Sequence, residues 1–371
     1  MKFSIQSKLL LSHLQAVSKV VASKSTITIL ENFLFSLEDS ELVITGSDQE
    51  TTITSHVPVT EVEGSGKFAA TVKTLLDLLK ELPDVGITVS VNDANLEIII
   101  DYQNGKFNFM GINGNEYPVK AASEEEPFTF TLPEKYVVDG IQHTAFAAGV
   151  DTLRPVMMGI YWDIKPDKLI FVASDTRKLV RYTISGLSLG IEKSFILPSK
   201  PANILSQLLE RSEEPVKITI DSKSATFETA KYSLTCRLVN GRYPNYNSVI
   251  PEDNAFELNI DRTTFLNAMK RVKVFSSATG LVRFDLKQDN IHLSSQDMEY
   301  SSSANENLAC EYNGIDMTIG FNDENVINVL NSLDTDSVTL KLMDPSRAGI
   351  FVPTKQKDNE DVLVLLMPVV V

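Results

Sequence analysis

The chain has 371 residues, 43% of them hydrophobic, enough to bury two or three cores of ordinary domain size and to exclude a disordered polymer. Its formal charge of −15 argues against a uniformly basic nucleic-acid binder. Two cysteines, Cys236 and Cys310, stand far from any Cys or His at metal-ligand spacing and read as reduced structural thiols, so neither a disulfide frame nor a metal centre is expected.

The start, Met1-Lys2-Phe3, lacks the pattern of a secretory signal, and no apolar run approaches the ~20 residues of a bilayer span; the expected compartment is the cytoplasm, with no membrane partner. Leu10, Leu14, Val17 and Val21 then fall on one face of a helix, with Ser7 as candidate N-cap. A polar turn and an alternating strand follow, Ser36 to Asp48, then a short amphipathic helix, Lys73 to Lys80, and a strand carrying Ile87, Val89 and Val91.

The same series returns twice. Asp163 to Asp175 and Asp285 to Asp297 repeat the turn and strand, each ending at an aspartate, at offsets of 127 and 122. Ala202 to Leu209 and Glu324 to Asn331 repeat the helix, and Val216, Ile218, Ile220 and then Val338, Leu340, Leu342 repeat the strand, at offsets of 129 and 122. Val137 and Phe265 take the place of Leu10 in the opening helices. Asn113-Gly114 before Tyr117-Pro118, and Asn240-Gly241 before Tyr243-Pro244, give similar turn signals, each leading into a polar connector. The expectation is three α+β domains, residues 1–125, 126–252 and 253–371, each with two helices on antiparallel sheets.

Charge is segregated along the chain. Residues 1–30 hold Lys2, Lys8, Lys19 and Lys24 and no acid, and between Asp261 and Asp285 the charges are Arg262, Lys270, Arg271, Lys273 and Arg283. Acid gathers in Glu124-Glu125-Glu126, Glu213-Glu214 and residues 358–361. Such a chain can present a positive face to DNA, although from charge alone ordinary solvated helix faces are the favoured explanation of the runs.

Catalytic readings find little support. There is no phosphate-binding Gly-rich loop or His-Glu-x-x-His, and His13, His56, His143 and His292 show no metal-like spacing. Gly186-Leu-Ser188-Leu-Gly190 matches a nucleophile elbow, but a strand rather than a helix follows it, so a hairpin turn is expected. Asp48, Asp175 and Asp297, occupying equivalent places in separate repeats, read as strand-end or turn residues rather than a carboxylate site. Sheet edges in such units carry unpaired backbone groups that invite edge-to-edge joining, within the chain or between chains.

The start Met1-Lys2-Phe3, the stretch Thr28-Ile29-Leu30-Glu31-Asn32 and the long segment Arg237 to Tyr246 make the chain resemble, along its whole length, the sliding-clamp β subunit of bacterial DNA polymerase III. The resemblance implies three clamp domains per chain and a head-to-tail homodimer forming a ring around double-stranded DNA. It also implies no catalysis and no cofactor, with the replicative DNA polymerase, the clamp loader and other proteins bearing a clamp-binding motif as partners within the holoenzyme. The competing reading is a repeat scaffold for proteins that does not touch nucleic acid.

Residue by residue, the resemblance implies DNA contacts at Lys24, Lys73, Lys80, Arg154 and Lys200. Beside Arg154, Pro155 and Val156 stand where the family can carry aromatic residues. It implies a pocket for an apolar partner peptide at Met157, Ser174, Thr176, Arg177, Lys178, Leu179, Pro244, Ser248, Val249, Thr279, Ser346 and the tail Leu365, Leu366, Met367, Pro368 and Val369. Thr176-Arg177 replace a common Gly-His pair, and Ser248 stands where an arginine can occur, so motif preference is open to change. For the ring interface it implies Phe107 and Phe109 facing Val274 and Phe275 of a second copy; by their alternation alone the two phenylalanines could equally be one sheet face packed inside its own core, and the resemblance favours the interface.

Overall fold

The computed structural model describes residues 1–38, 40–118 and 126–371. The expected boundary after residue 125 and the Glu124-Glu125 pair lie outside the described residues. Two compact units contain the chain: Met1–Lys135 with Ile204–Leu238, and Tyr136–Asn203 with Val239–Val371.

Among the described residues the first repeat runs β1 (Lys2–Gln6), α1 (Ser7–Ser18), β2 (Asn32–Glu38), β3 (Glu41–Ser47), β4 (Thr51–Pro58), β5 (Thr60–Glu63), β6 (Gly66–Thr71), α2 (Val72–Glu81), β7 (Gly86–Val91), β8 (Glu97–Tyr102), β9 (Gly105–Met110) and β10 (Ile112–Asn113). The second runs β11 (Phe128–Pro133), α3 (Glu134–Thr144), β12 (Gly159–Lys165), β13 (Lys168–Ser174), β14 (Lys178–Ser185), β15 (Lys193–Pro198), α4 (Ser199–Leu208), β16 (Pro215–Ile220), β17 (Ser224–Glu228) and β18 (Tyr232–Arg237). The third runs β19 (Phe256–Asp261), α5 (Arg262–Lys273), β20 (Leu281–Lys287), β21 (Asn290–Asp297), β22 (Ser302–Ala309), β23 (Glu311–Tyr312), β24 (Met317–Asn322), α6 (Asp323–Ser332), β25 (Ser337–Leu342), β26 (Gly349–Pro353) and β27 (Glu360–Leu366).

Setting aside the short extra strands β5, β10 and β23, each repeat is strand, helix, four strands, helix, three strands. The eight strands form two half-sheets, one ordered fifth-second-third-fourth and the other first-sixth-seventh-eighth, all antiparallel. One rule joins the repeats: the fourth strand of one pairs with the eighth strand of the next. Thus β4 pairs with β18, from Thr51↔Cys236 to Ser55↔Tyr232, and β14 with β27, from Lys178↔Leu366 to Ile184↔Glu360. Each joining makes a nine-stranded sheet. The first repeat's eighth strand, β9, and the third repeat's fourth strand, β22, remain sheet edges.

Helix burial follows the apolar spacing. Leu10, Leu14 and Val17 of α1 are buried, as are Phe265, Met269 and Val272 of α5, each fully buried large side chain contributing ~1.5–3 kcal/mol. In the first repeat α1 packs on α2, and in the third α5 packs on α6.

Two local expectations are corrected. Ser7 is the first helical residue rather than the N-cap; its Oγ donates to Pro83 O at 2.7 Å and accepts from Val85 N at 3.2 Å, a tertiary bond that outcompetes local capping. The segment Gly186 to Gly190 is not a hairpin turn, because β15 pairs with β12 rather than β14. It crosses the sheet end, with Leu187 N bonded to Asp167 O and Leu189 N to Pro166 O. No helix follows Ser188, so the elbow reading fails for want of its strand-to-helix turn.

Candidate partner site and sheet edges

The β13–β14 turn is built by Asp175 and Ser174. Asp175 Oδ1 accepts from the backbone N–H groups of Arg177 and Lys178, both at 2.9 Å, while Ser174 Oγ donates to Lys178 O at 2.8 Å. This closes the turn with Thr176 at φ 78°, a left-handed conformation costly for a β-branched residue. The β3–β4 turn is made alike, with Asp48 Oδ1 accepting from Glu50 N and Thr51 N and Gln49 at φ 77°. In the third repeat Asp297 Oδ1 accepts from Glu299 N and Tyr300 N. The repeated aspartates are turn-forming residues, as their alignment implied.

Lys178 extends from this turn to α6. Its ammonium lies 2.6 Å from Asp175 Oδ2 and 3.1 Å from Asn325 Oδ1, mostly shielded from solvent. The C-terminal tail starts at the same place: Met367 N donates to Arg177 O at 2.8 Å, and Val369 N to Gly320 O of β24 at 2.9 Å. Met367 is half exposed.

Beside the turn lies an apolar cluster of Ile170, Val172, Leu179, Ile196, Tyr243, Tyr246, Ala348 and Leu365, against which Val156, Tyr161, Val239, Ile250 and Leu363 pack. Tyr161 and Tyr243 stack with ring centroids 4.8 Å apart, and Tyr246 Oη donates to Asp163 Oδ2 at 2.9 Å. Burial pushes the pKa of both Tyr243 and Tyr246 well above the ordinary phenol value of 10.0, so both hydroxyls stay protonated. Gly241 makes the approach possible: its φ is 136°, and a Cβ there would lie 2.6 Å from Val156 Cγ1. The connector past it is held by Asn245 Oδ1, which accepts from Asn247 N, and by Ser248 Oγ, which donates to Asn245 O. It leaves Pro244, Ser248 and Val249 exposed.

The structure therefore brings Leu179 and Leu365 into one cluster, with Thr176, Arg177 and Met367 at its turn. Leu366 faces the other way, because neighbours alternate along β27 and Leu363 and Leu365 hold the cluster face; it is core. Met157 accepts from Gly149 N through its carbonyl, Thr279 accepts from Asn322 Nδ2, and Ser346 Oγ bonds to Asp344, so none of the three belongs to the cluster itself. The sequence reading passed over Ile170, Val172, Tyr243, Tyr246 and Asn325. The period-two pattern beside Leu179 and the Tyr-x-x-Tyr spacing were the available signals for the first four.

Next to this cluster, a cavity of about 600 Å³ is lined by Phe146, Val150, Pro155, Met158, Pro198 and Lys200 among others, and shares Val239 with the cluster. Arg154 is exposed on the adjoining loop.

The other basic candidates are surface groups. Lys24 lies exposed beyond α1, and Lys80 lies in the last turn of α2 with Asp77 4.0 Å away. Lys73 and Lys200 each occupy the first turn of the second helix of their repeat, where the helix dipole disfavours a cation by about 0.3–1 kcal/mol. That is a placement local stability does not call for. In the third repeat Asp323 and Glu324 stand there instead. Most of the basic run in residues 261–285 serves its own domain: Arg262 donates to Thr335 O and Leu330 O, Arg271 pairs two-fold with Glu306, Lys273 faces Glu324 and Arg283 faces Asp285.

On β9, Phe107 and Phe109 are half-buried between exposed Lys106, Asn108 and Met110, and Phe107 stacks on Tyr102. Just past α5, Val274 is 77% and Phe275 42% exposed. Met298 and Tyr300, at the approach to β22, are exposed as well. Among the described residues no cluster of three or more His, Cys, Asp or Glu is arranged to hold a metal, and no helix is long and apolar enough to cross a membrane.

Comparison with known proteins agrees along the whole length. The beta sliding clamp of Staphylococcus epidermidis is 24% identical over 378 residues, covering 100% of this chain and 99% of that protein. Two solved structures from Pseudomonas aeruginosa, the DNA polymerase III subunit beta and a sliding clamp bound to griselimycin, each cover 100% of both chains with a TM-score of 0.92, at 24% and 25% identity. The N-terminal, central and C-terminal domain models of the DNA polymerase III beta subunit match residues 1–122, 131–245 and 247–369 in turn, and the chain belongs to that family, the β sliding clamps.

Proposed function

We propose that the protein is a processivity clamp: two copies close head to tail into a ring around duplex DNA and tether the replicative polymerase. The observation that carries this reading is the joining rule of the sheets. Among the described residues fourth-to-eighth strand pairing is satisfied twice within the chain and leaves one fourth strand, β22, and one eighth strand, β9, without that pairing. A second copy supplies both, antiparallel, and the closed two-fold assembly leaves no such edge. Phe107 and Phe109 of one copy then meet Val274 and Phe275 of the other, with Met298 and Tyr300 beside them.

Domains of residues 1–125, 126–252 and 253–371 each contribute two helices to the ring. Lys24, Lys73, Lys80, Arg154 and Lys200 make weak phosphate contacts that leave the DNA free to move, so retention comes from topology and not from affinity. The Leu179–Leu365 cluster, with Thr176, Arg177, Val249 and Met367 around it, receives an apolar anchor from an extended peptide of the polymerase, the clamp loader or another clamp-binding protein. The protein works in the cytoplasm and catalyses no reaction.

Loading onto nicked circular plasmid, followed by linearisation, tests the reading. Encirclement predicts retention on the circle and loss after the cut. Equal retention on both forms, or none with a competent loader, would instead make the chain a protein scaffold.

A further inference from the structure

In the first repeat the third residue past α1 is Val21 and the residue opening α2 is Val72; the same two places in the third repeat hold Ser276 and Asp323. The backbone frames agree, with Val21 N bonded to Ser18 O at 3.2 Å and Ser276 N to Lys273 O at 3.1 Å. An apolar pair has given way to a polar one in the repeat that keeps its fourth strand open.

Asp323 is 3% exposed, a burial that carboxylates rarely show without a partner. Its carboxylate accepts from Ser276 Oγ, whose single proton has Lys273 O, at 3.0 Å, as its other acceptor. Its backbone N–H donates to Gly280 O at 2.7 Å, and Asn322 Nδ2 donates to Thr279 O at 3.3 Å. Gly280 lies at φ +65°, and a Cβ there would stand 2.6 Å from Asn322 Nδ2, so only glycine closes the loop this tightly. The loop from Val274 to Gly280 is thereby fastened at its middle and far end to the start of α6. Its near end carries the two exposed apolar side chains, Val274 and Phe275.

We propose that the Ser276–Asp323 bond is a positioning device for ring closure, holding the loop so that Val274 and Phe275 are presented before a second copy arrives. The inference rests on the head-to-tail dimer reading. A loop ordered in the free chain loses less freedom on association, which tightens the complex without adding a contact across it. Asp323 is buried and both residues act through the loop.

Sedimentation equilibrium and fluorescent subunit exchange on the full chain test this with Ser276→Ala, Asp323→Ala, Asp323→Asn and Phe275→Asp. Ser276→Ala and Asp323→Ala are expected to raise the dimer dissociation constant about tenfold. Asp323→Asn, whose amide oxygen still accepts from Ser276, should raise it less. An unchanged dissociation constant in Ser276→Ala overturns the proposal whatever happens to the melting temperature, and that milder variant decides alone should Asp323→Ala fail to fold. A wild-type chain that is already monomeric and indistinguishable from Phe275→Asp brings down the dimer reading itself, and this proposal with it.

Discussion

Val20 and Phe275 occupy the same place in two repeats: each is the second residue past the first helix, and each donates its N–H to the residue three back, Val17 O and Val272 O. Val20 is 1% exposed and Phe275 42%. Local sequence and backbone do not account for the difference, since both residues are apolar and both turns are alike. The difference lies in the neighbouring strand. The fourth strand packed on α1, β4, is paired with β18, whereas the one packed on α5, β22, has no further partner strand among the described residues. A position buried in a joined repeat stays open in the unjoined one, as the proposed head-to-tail dimer requires.

The largest expected effects come from placing a charge at each of these two positions. Val20→Asp buries an unpaired carboxylate and should destabilise the chain by about 3–5 kcal/mol, measured as a drop in the denaturation midpoint. Phe275→Asp should leave the monomer's stability within about 0.5 kcal/mol while weakening dimerisation by at least a hundredfold, through repulsion and lost burial at the contact. Equal destabilisation by the two would show that Phe275 is simply core. A dimer that survives Phe275→Asp would mean that another surface joins the copies.

A smaller effect separates joined seams from the open one by pH. His13 Nδ1 lies 2.6 Å from Ser55 Oγ of β4 and its ring packs near Tyr232 of β18, so it sits on the first seam. His143 packs on Tyr182 of β14, on the second. Burial lowers the proton affinity of both below the ordinary value of 6.5; for His13 Lys231 adds to the effect, and for His143 Asp139 partly opposes it. A depressed folded-state value means that the unfolded chain takes up the proton first on acidification. The contribution to stability is therefore whole above about pH 6.5 and is lost as pH falls toward the folded-state values. Thermal melts from pH 7.5 to 5.5 should show this decline, and His143→Gln should flatten it. A decline unaltered in both His143→Gln and His13→Gln would assign it to other groups.

The three-fold repeat was legible because turn, helix and strand signals recur at fixed offsets, and the aspartate turns because Asp48, Asp175 and Asp297 need only their own next few residues to close them. Ser7 was misread because its hydroxyl is claimed by Pro83 O, seventy-six residues on, which no local rule contains. Gly186 to Gly190 was taken for a hairpin because pairing of β15 with β12 depends on sheet order, and a turn signal does not specify which strand comes next. At the candidate site, Leu179 and Leu365 were legible through the family resemblance, whereas Tyr243 read as part of a turn signal and Tyr246 as the end of a family segment, and their place in the cluster needed the connector folded onto β13. Edge-to-edge joining of the repeats was expected, but which strands meet was not legible, since the pairing concerns edges far apart in sequence.

The smallest predicted effect concerns the two joined seams themselves. Gln49 and Thr176 hold the same left-handed turn position, at φ 77° and 78°, but Thr176 is β-branched. Thr176→Gly should remove strain of about 1–2 kcal/mol, offset in part by the extra freedom of glycine in the unfolded chain, for a net gain near 0.5 kcal/mol. Gln49→Gly starts from a more tolerant side chain and should gain less, so the difference between the two melting shifts isolates the cost of the β-branch. Retaining threonine against that cost places a methyl and a hydroxyl at the exposed turn beside Arg177 and Met367, where a partner peptide would pass. Peptide affinity measured on Thr176→Gly then separates two causes: a more stable chain that binds its peptide less tightly means the threonine is kept for binding, and unchanged affinity means it is tolerated.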